Sequence, residues 1–298
     1  MTGYQALREG AGWLDLDRRG RFWISGEDRA RLLHAMTTNH IEQMNTGDSC
    51  YTFFLNDKGR ILGDANVLAM EDRFLLDTEP ETHDALFQHL DKYIIADDAT
   101  LTDARKEITA IGVEGPLSRQ VIDAIAGFGR APFTVTGGAG ARFFVPPAER
   151  EAFVARLESF GAVRASAEDA RVVRLENFRP RYGEDFTDKS LVQETQLLHA
   201  VHFTKGCYLG QEIVERVRSR GQVHRLLVPL YVAGKEPPAA ASPVKAGEAA
   251  VGETMSSAYS PALGKSVAFA VIRAEHARPG TPLTIDGAAA EVAAAKGI

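Results

Sequence analysis

Cysteine is scarce, with two in 298 residues. That excludes a disulfide framework and a self-contained four-thiolate cluster. A cationic excess is also lacking: 34 Lys and Arg stand against 40 Asp and Glu, a formal charge of −6. A chain of that balance is not built mainly to grip nucleic acid over a broad basic face. No run approaches the ~18 uninterrupted apolar residues of a membrane-spanning helix. The stretch Met1 to Glu9 has no apolar core of the kind a secretory leader needs. The expected compartment is a reducing cytoplasm, where a lone cysteine stays a thiol. Neither GxGxxG nor GxxxxGK followed by Ser or Thr occurs, so there is no nucleotide-binding fingerprint. No internal repeat or long disordered tract is present either.

What is present is the balance of a globular protein: 45% hydrophobic and 25% charged residues. At roughly 150 residues per domain the length suggests two domains. Gly20 to Gly26 alternates and reads as a strand, and Glu27-Asp28 place negative charge at a helix start carrying Leu32, Leu33 and Met36. Cys50 to Leu55 and Arg60 to Met70 read as a hairpin across the Asn56-Asp57-Lys58-Gly59 turn. Pro80 opens a helix with Leu86, Leu90, Tyr93 and Ile94 on its face. Glu107 to Glu114 is a strand, Pro116 starts a helix, and Glu149 to Phe160 is another. Ser166 and Asp169 form a capping box for a helix carrying Val172, Val173 and Leu175. Hairpins and helices without strict alternation predict an α+β fold. Composition shifts after Val232, where Gly234 to Pro243 is rich in Gly, Pro and Ala. The expected division is residues 1–225, themselves two interleaved α+β parts with the second at about 106–165, and a mostly β domain over 226–298, with strands at Val267 to Ile272 and Pro282 to Ile285.

The most informative stretch is Lys205-Gly206-Cys207-Tyr208-Leu209-Gly210-Gln211-Glu212. Its two glycines allow tight turns and close approach. Helical periodicity follows from Gln211 to Arg220, and Gly221 suits the position after a helix end. Cys207 therefore precedes a helix start, with Lys205 two residues away, and both features favour a thiolate. The alternative is a small buried side chain in a tight turn. Cys50, in an aromatic-rich strand, is expected in the core. His199 and His202 with Cys207 could supply three metal ligands, or be polar residues on a loop. Arg216, Arg218, Arg220, His224 and Arg225 are either a solvated face or a site for an anionic group.

These residues resemble the YgfZ family, whose K-G-C-Y-x-G-Q-E signature the stretch from Lys205 to Glu212 matches. YgfZ proteins are folate-binding relatives of the glycine cleavage T-protein, implicated in iron–sulfur protein maturation and tRNA modification. The resemblance extends through Leu32 to Leu68, with Thr38-Asn39, Tyr51-Thr52, Asn56 and Gly59-Arg60-Ile61. Further along it takes in Arg174-Leu175-Glu176 with Tyr182-Gly183, Ser260 to Gly264, and Gly280 to Leu283. It implies a multi-part assembly around a central folate site, closed by a C-terminal β-barrel. T-proteins carry two adjacent acids where this chain has Gly63-Asp64, and a G-Y-T-G-E run where it has Gly137-Gly138-Ala139-Gly140-Ala141. Tryptophans used by some family members at the folate site fall at Arg19 and Ala170. The resemblance thus implies a folate-binding accessory protein supporting iron–sulfur cluster assembly or repair, including in tRNA-modifying enzymes. The working groups are expected at Cys207 and Lys205, and the folate contacts at Tyr51, Asp64, Arg174, Glu176, Gln211, Glu212 and Arg216. Tetrahydrofolate or a derivative is the expected cofactor, with a transient iron–sulfur cluster as a second candidate and no resident metal. Expected partners are iron–sulfur client or assembly proteins, without membrane or direct nucleic-acid contact. The alternatives are a tetrahydrofolate-dependent aminomethyltransferase or demethylase, and a scaffold in which folate only stabilises the fold.

Overall fold

The computed structural model describes residues 1–125, 127–221 and 223–294. The chain forms two compact units, one of residues 1–170 with 199–211, the other of 171–198 with 212–298. It passes between them three times, so neither unit is one continuous segment. Residues 171–198 and 212–225 group with the barrel, whereas the expected division set them within 1–225.

Among the described residues the first unit holds two five-stranded sheets. One runs in the order Ser49–Leu55, Ile61–Ala69, Arg73–Thr78, Gly20–Ser25, Thr100–Asp103, antiparallel throughout. The Asn56–Gly59 turn makes the predicted hairpin: Asn56 Oδ1 accepts from the Lys58 and Arg60 N–H groups. Alternation then sorts the side chains. Phe54, Ala65, Val67, Phe74, Leu76, Phe22 and Ile24 pack against Leu32, Leu33 and Met36 of the helix Arg29–Met36 and Leu86 and Leu90 of the helix His83–Asp91. That second helix stops before Tyr93 and Ile94, which the periodicity had placed on its face. The last turn tightens instead, with Tyr93 N–H donating to the Leu90 carbonyl.

The other sheet runs Val163–Ala165, Gly12–Asp15, Thr109–Glu114, Gly140–Val145, Gly129–Ala131. Its first pair is parallel. Helices Ser118–Ala124 and Arg150–Ser159 supply its core with Val121, Phe153 and Leu157. Trp23, Leu68 and Leu75 of the first sheet meet Phe144 of the second, and Phe133 of the loop after Gly129–Ala131, in a further buried cluster. The predicted capping box is present: Ser166 Oγ accepts from the Asp169 N–H at 3.0 Å, and Asp169 Oδ2 from the Ser166 N–H at 2.8 Å.

The second unit contains a closed barrel of six strands. Their order is Arg225–Val232, Lys265–Arg273, Ala249–Ser260, Pro243–Ala246, Pro282–Ile285, Ala288–Val292. Alternate residues, among them Val228, Leu230, Ala270, Ile272 and Ile285, fill its interior. The mixture of such sheets with helices is the α+β class read from the sequence.

Candidate functional site

In the first unit, residues 199–211 are laced onto the helix Arg29–Met36 and the segment after it. His202 N–H donates to the Thr38 carbonyl (3.0 Å), and Leu209 N–H to that of Ala35 (3.0 Å). Thr38 Oγ1 donates to the Ala200 carbonyl (2.7 Å), and Asn39 Nδ2 to that of His199 (3.1 Å). The strongest tie is Lys205. Its side chain is buried, and its Nζ donates to the carbonyls of His34 (2.5 Å), Thr37 (2.7 Å) and Asn39 (2.7 Å). A helix ends with unpaired carbonyls and a partial negative charge, so an ammonium there satisfies both. In this geometry Lys205 serves the helix end, not the thiol: its three protons are all donated to carbonyls. Burial pulls its pKa down from 10.5 to about 7.

Gly210 has φ +82°, and a Cβ there would stand 2.6 Å from the Asn56 carbonyl oxygen. The second glycine of the motif therefore seats the loop on the hairpin turn rather than making room for another molecule. Cys207 stands exposed on this fixed loop. Cys50 is half-buried, its Sγ 3.8 Å from Met44 Sδ, and burial pushes its pKa up to about 12.

Three imidazoles run beside the loop, with ring centroids 4.5 Å apart for His34 and His40 and 5.1 Å for His40 and His202. His34 Nδ1 accepts from the Ile41 (3.3 Å) and Glu42 (3.5 Å) N–H groups. Burial, followed by Lys205, His40 and His202, lowers the His34 pKa against the opposing pull of Glu42. His199, His202 and Cys207 do not form a metal site: no group of three or more His, Cys, Asp or Glu suited to a metal occurs among the described residues.

Of the expected folate contacts, the hairpin brings Tyr51 and Asp64 together. Phe53 lies opposite Asp64 and Tyr51 opposite Asn66, so all four side chains share a face. Tyr51 OH donates to Asp64 Oδ2 at 2.5 Å. Asp64 is 6% exposed. The Tyr51 ring is half-buried and stacks on His199, 5.6 Å between centroids and 28° between planes. Gln211 begins the helix Gln211–Arg220, its N–H donating to the Tyr208 carbonyl (3.2 Å).

The other expected contacts belong to the second unit. Arg174 is buried and engaged on both terminal nitrogens. Nη1 donates to the Arg179 carbonyl (2.7 Å) and Asp185 (2.6 Å), and Nη2 to Glu184 (2.9 Å) and Ser256 (3.5 Å). Glu176 accepts from Ser260 Oγ at 2.5 Å. Both are internal ties between the helix Ala167–Glu176 and the strand Ala249–Ser260. Glu212 and Arg216 are exposed on the helix Gln211–Arg220.

One polar cluster escaped the sequence reading. Asp77, fully buried, meets Arg19 at 2.6 Å and Arg142 at 2.5 Å, and Arg19 also reaches Glu79 at 2.6 Å. Burial alone would raise the Asp77 pKa, but Arg142 and Arg19 outweigh it and hold the carboxyl below its ordinary range. Nothing local marks this cluster, because its four members come from three strands or strand edges of two sheets. Arg19, placed by resemblance at a folate tryptophan, is a member of it, and Ala170 is buried.

Residues 2–136 match the GCVT N-terminal domain, and residues 225–296 match the glycine cleavage T-protein C-terminal barrel domain. Together the two take in more than two thirds of the chain. It is a glycine cleavage T-protein-like chain. An aminomethyltransferase of Streptomyces avermitilis is 28% identical over 304 residues, covering 93% of this chain and 82% of its own. One of Herpetosiphon aurantiacus is 26% identical, covering 96% and 85%. The crystal structure of glycine cleavage system aminomethyltransferase T from Bartonella henselae superposes with a TM-score of 0.90 at 18% identity, over 98% of this chain and 87% of that one. The T-protein-like fold thus takes in 98% of the chain, and the six-stranded barrel lies within the residues matched to the family's C-terminal domain.

Proposed function

We propose that this T-protein-like chain binds a folate and acts as an accessory protein to iron–sulfur enzymes, with Cys207 as its working group. The observation that carries the reading is an exposed thiol on a loop fixed by a buried ammonium and four further hydrogen bonds to one helix end. Burying an ammonium is costly, and here it goes to fixing the segment that presents Cys207. A soft thiol so placed can ligate a metal or attack an electrophile on another molecule.

The Tyr51–Asp64 corner fits a folate by the chemistry of its groups. A buried carboxylate accepts N–H donors, and the stacked Tyr51–His199 planes suit a flat ring. Folate, when bound, supplies a one-carbon carrier. The residues' own part is to hold it: Asp64 accepts, Tyr51 keeps the carboxylate oriented, and His199 covers the phenol ring. A single exposed cysteine does not make a resident cluster site, so a cluster enters this reading as cargo.

The aminomethyltransferase reading draws on the names of the relatives and on Asp64, an acid oriented by a phenol. Three measurements test the reading, and the last two separate it from the aminomethyltransferase. Calorimetry with tetrahydrofolate is expected to show saturable binding, weakened about tenfold or more by Asp64→Asn, which removes the negative charge and replaces one acceptor oxygen by a donor. Turnover of an aminomethyl donor with tetrahydrofolate is expected to be absent. In a strain lacking the protein, Cys207→Ala should be stably expressed yet fail to restore an iron–sulfur enzyme. Robust turnover, or full rescue by Cys207→Ala, overturns the accessory reading.

A further inference from the structure

The barrel carries a feature that the folate reading does not use. Strand Arg225–Val232 pairs antiparallel with Lys265–Arg273, in a register that sets Arg225 directly opposite Arg273. Side chains directly opposite share a face. The interior is taken by the alternate positions, Val228 and Leu230 on one strand, Ala270 and Ile272 on the other. Both arginines therefore project from the outer surface, and both are exposed. Neither has a hydrogen bond or ion pair among the described residues. Glu275, which lines the same cleft, lies 3.5 Å from His276 instead.

Like charges directly opposite across two strands are destabilising. Among the described residues no ion pair relieves this pair, and the backbone holds it in place. Ala274 N–H donates to the His224 carbonyl at 2.9 Å, continuing the ladder one step past the arginines. Val223, His224, Arg225, Arg273, Ala274 and Glu275 line an open cleft of about 450 Å³ there. Two guanidiniums and an imidazole on one cleft match a doubly charged tetrahedral anion. Each guanidinium offers two parallel N–H groups to adjacent oxygens. A single carboxylate would neutralise only one of the two.

We propose that this cleft is a phosphate-binding site. The phosphate can belong to a small phosphorylated molecule or to a nucleic-acid strand, and the two sources are distinguished by the ligand titrated. The site lies wholly in the second unit and is independent of the folate reading.

The test uses the full chain, titrated with inorganic phosphate and with a short single-stranded RNA, both followed by calorimetry. Arg225→Gln and Arg273→Gln are each expected to weaken phosphate binding about tenfold, and the double variant to abolish it. Glu275→Gln, which removes the neighbouring negative charge, should tighten binding. The double variant is expected to unfold at a urea concentration no lower than the parent, because it relieves the repulsion. RNA binding tighter than phosphate and weakening steeply with salt assigns a phosphodiester. RNA binding no tighter than phosphate assigns a small phosphorylated molecule. The proposal is overturned if neither ligand saturates, if the double variant binds as the parent does, or if citrate displaces phosphate at equal concentration.

Discussion

Lys205 places a charge where a helix ends, and its titration gives the loop a dependence on pH. In the unfolded chain its amine keeps its ordinary value of 10.5, whereas burial lowers it to about 7 in the fold. Between these values the unfolded chain holds a proton that the folded chain has released, so stability rises with pH. Urea midpoints are expected to climb from pH 7 to pH 9 and to lose that slope in Lys205→Met. The same variant leaves the His34, Thr37 and Asn39 carbonyls without their donor, so the His202 and Leu209 amides should exchange about tenfold faster. Cys50 acts with the opposite sign and at higher pH. Burial raises it from 9.0 to about 12, so its contribution is complete below 9 and is lost as pH rises towards 12. It also makes Cys50 a slow thiol. At pH 8 a thiol reagent should modify Cys207 first, and Cys207→Ser, not Cys50→Ser, should remove the fast phase.

The elements that local signals predicted are those whose causes are local. The hairpin on either side of Asn56–Gly59, the Ser166–Asp169 capping box and the helix Gln211–Arg220 each carry their boundary residues within a turn of the structure they set. The strands Gly12–Asp15 and Val163–Ala165 were not read as such. They are short, and they pair in parallel across about 150 residues, a connection that no nearby pattern records. The candidate site divides in the same way. Cys207 and the Tyr51–Asp64 hairpin were legible, but the role of Lys205 was not, because its acceptors are backbone carbonyls more than 160 residues away. Asp77 is the case with the largest energetic consequence. It joins Arg19 and Arg142 where the two sheets of the first unit meet. Asp77→Asn would leave the buried Arg142 guanidinium without its ion-pair partner and Arg19 with Glu79 alone, and is expected to cost about 3–5 kcal/mol by urea denaturation. The exposed pair Arg119–Asp123, 3.4 Å apart, is the control. Asp123→Asn should stay within about 0.5 kcal/mol of the parent.

At the scale of the whole molecule, the order of the chain matters more than the order of its domains. The first unit is completed by residues 199–211, which return to it after the chain has entered the second unit. A chain stopped after residue 170 keeps both sheets and their helices but loses Lys205, the His202 and Leu209 amides and the Ala200 and His199 carbonyls. Thr38 Oγ1 then keeps only Thr52 and the Phe53 N–H, Asn39 Nδ2 keeps only the Tyr51 carbonyl, and the carbonyls at the end of the helix Arg29–Met36 lose the buried Lys205 ammonium. Each buried polar group left unpaired costs about 1–3 kcal/mol, against a total stability of about 5–15 kcal/mol for a domain. The fragment 1–170 is therefore expected to unfold at markedly lower urea than the full chain. Fusing residues 199–211 to it through a flexible Gly/Ser linker in place of 171–198 should recover most of the difference, because the linker supplies only reach. The same fusion carrying Lys205→Met should recover less. Equal urea midpoints for the fragment with and without residues 199–211 would show that the loop is held by the helix without stabilising it in return, and that the first unit is complete at residue 170.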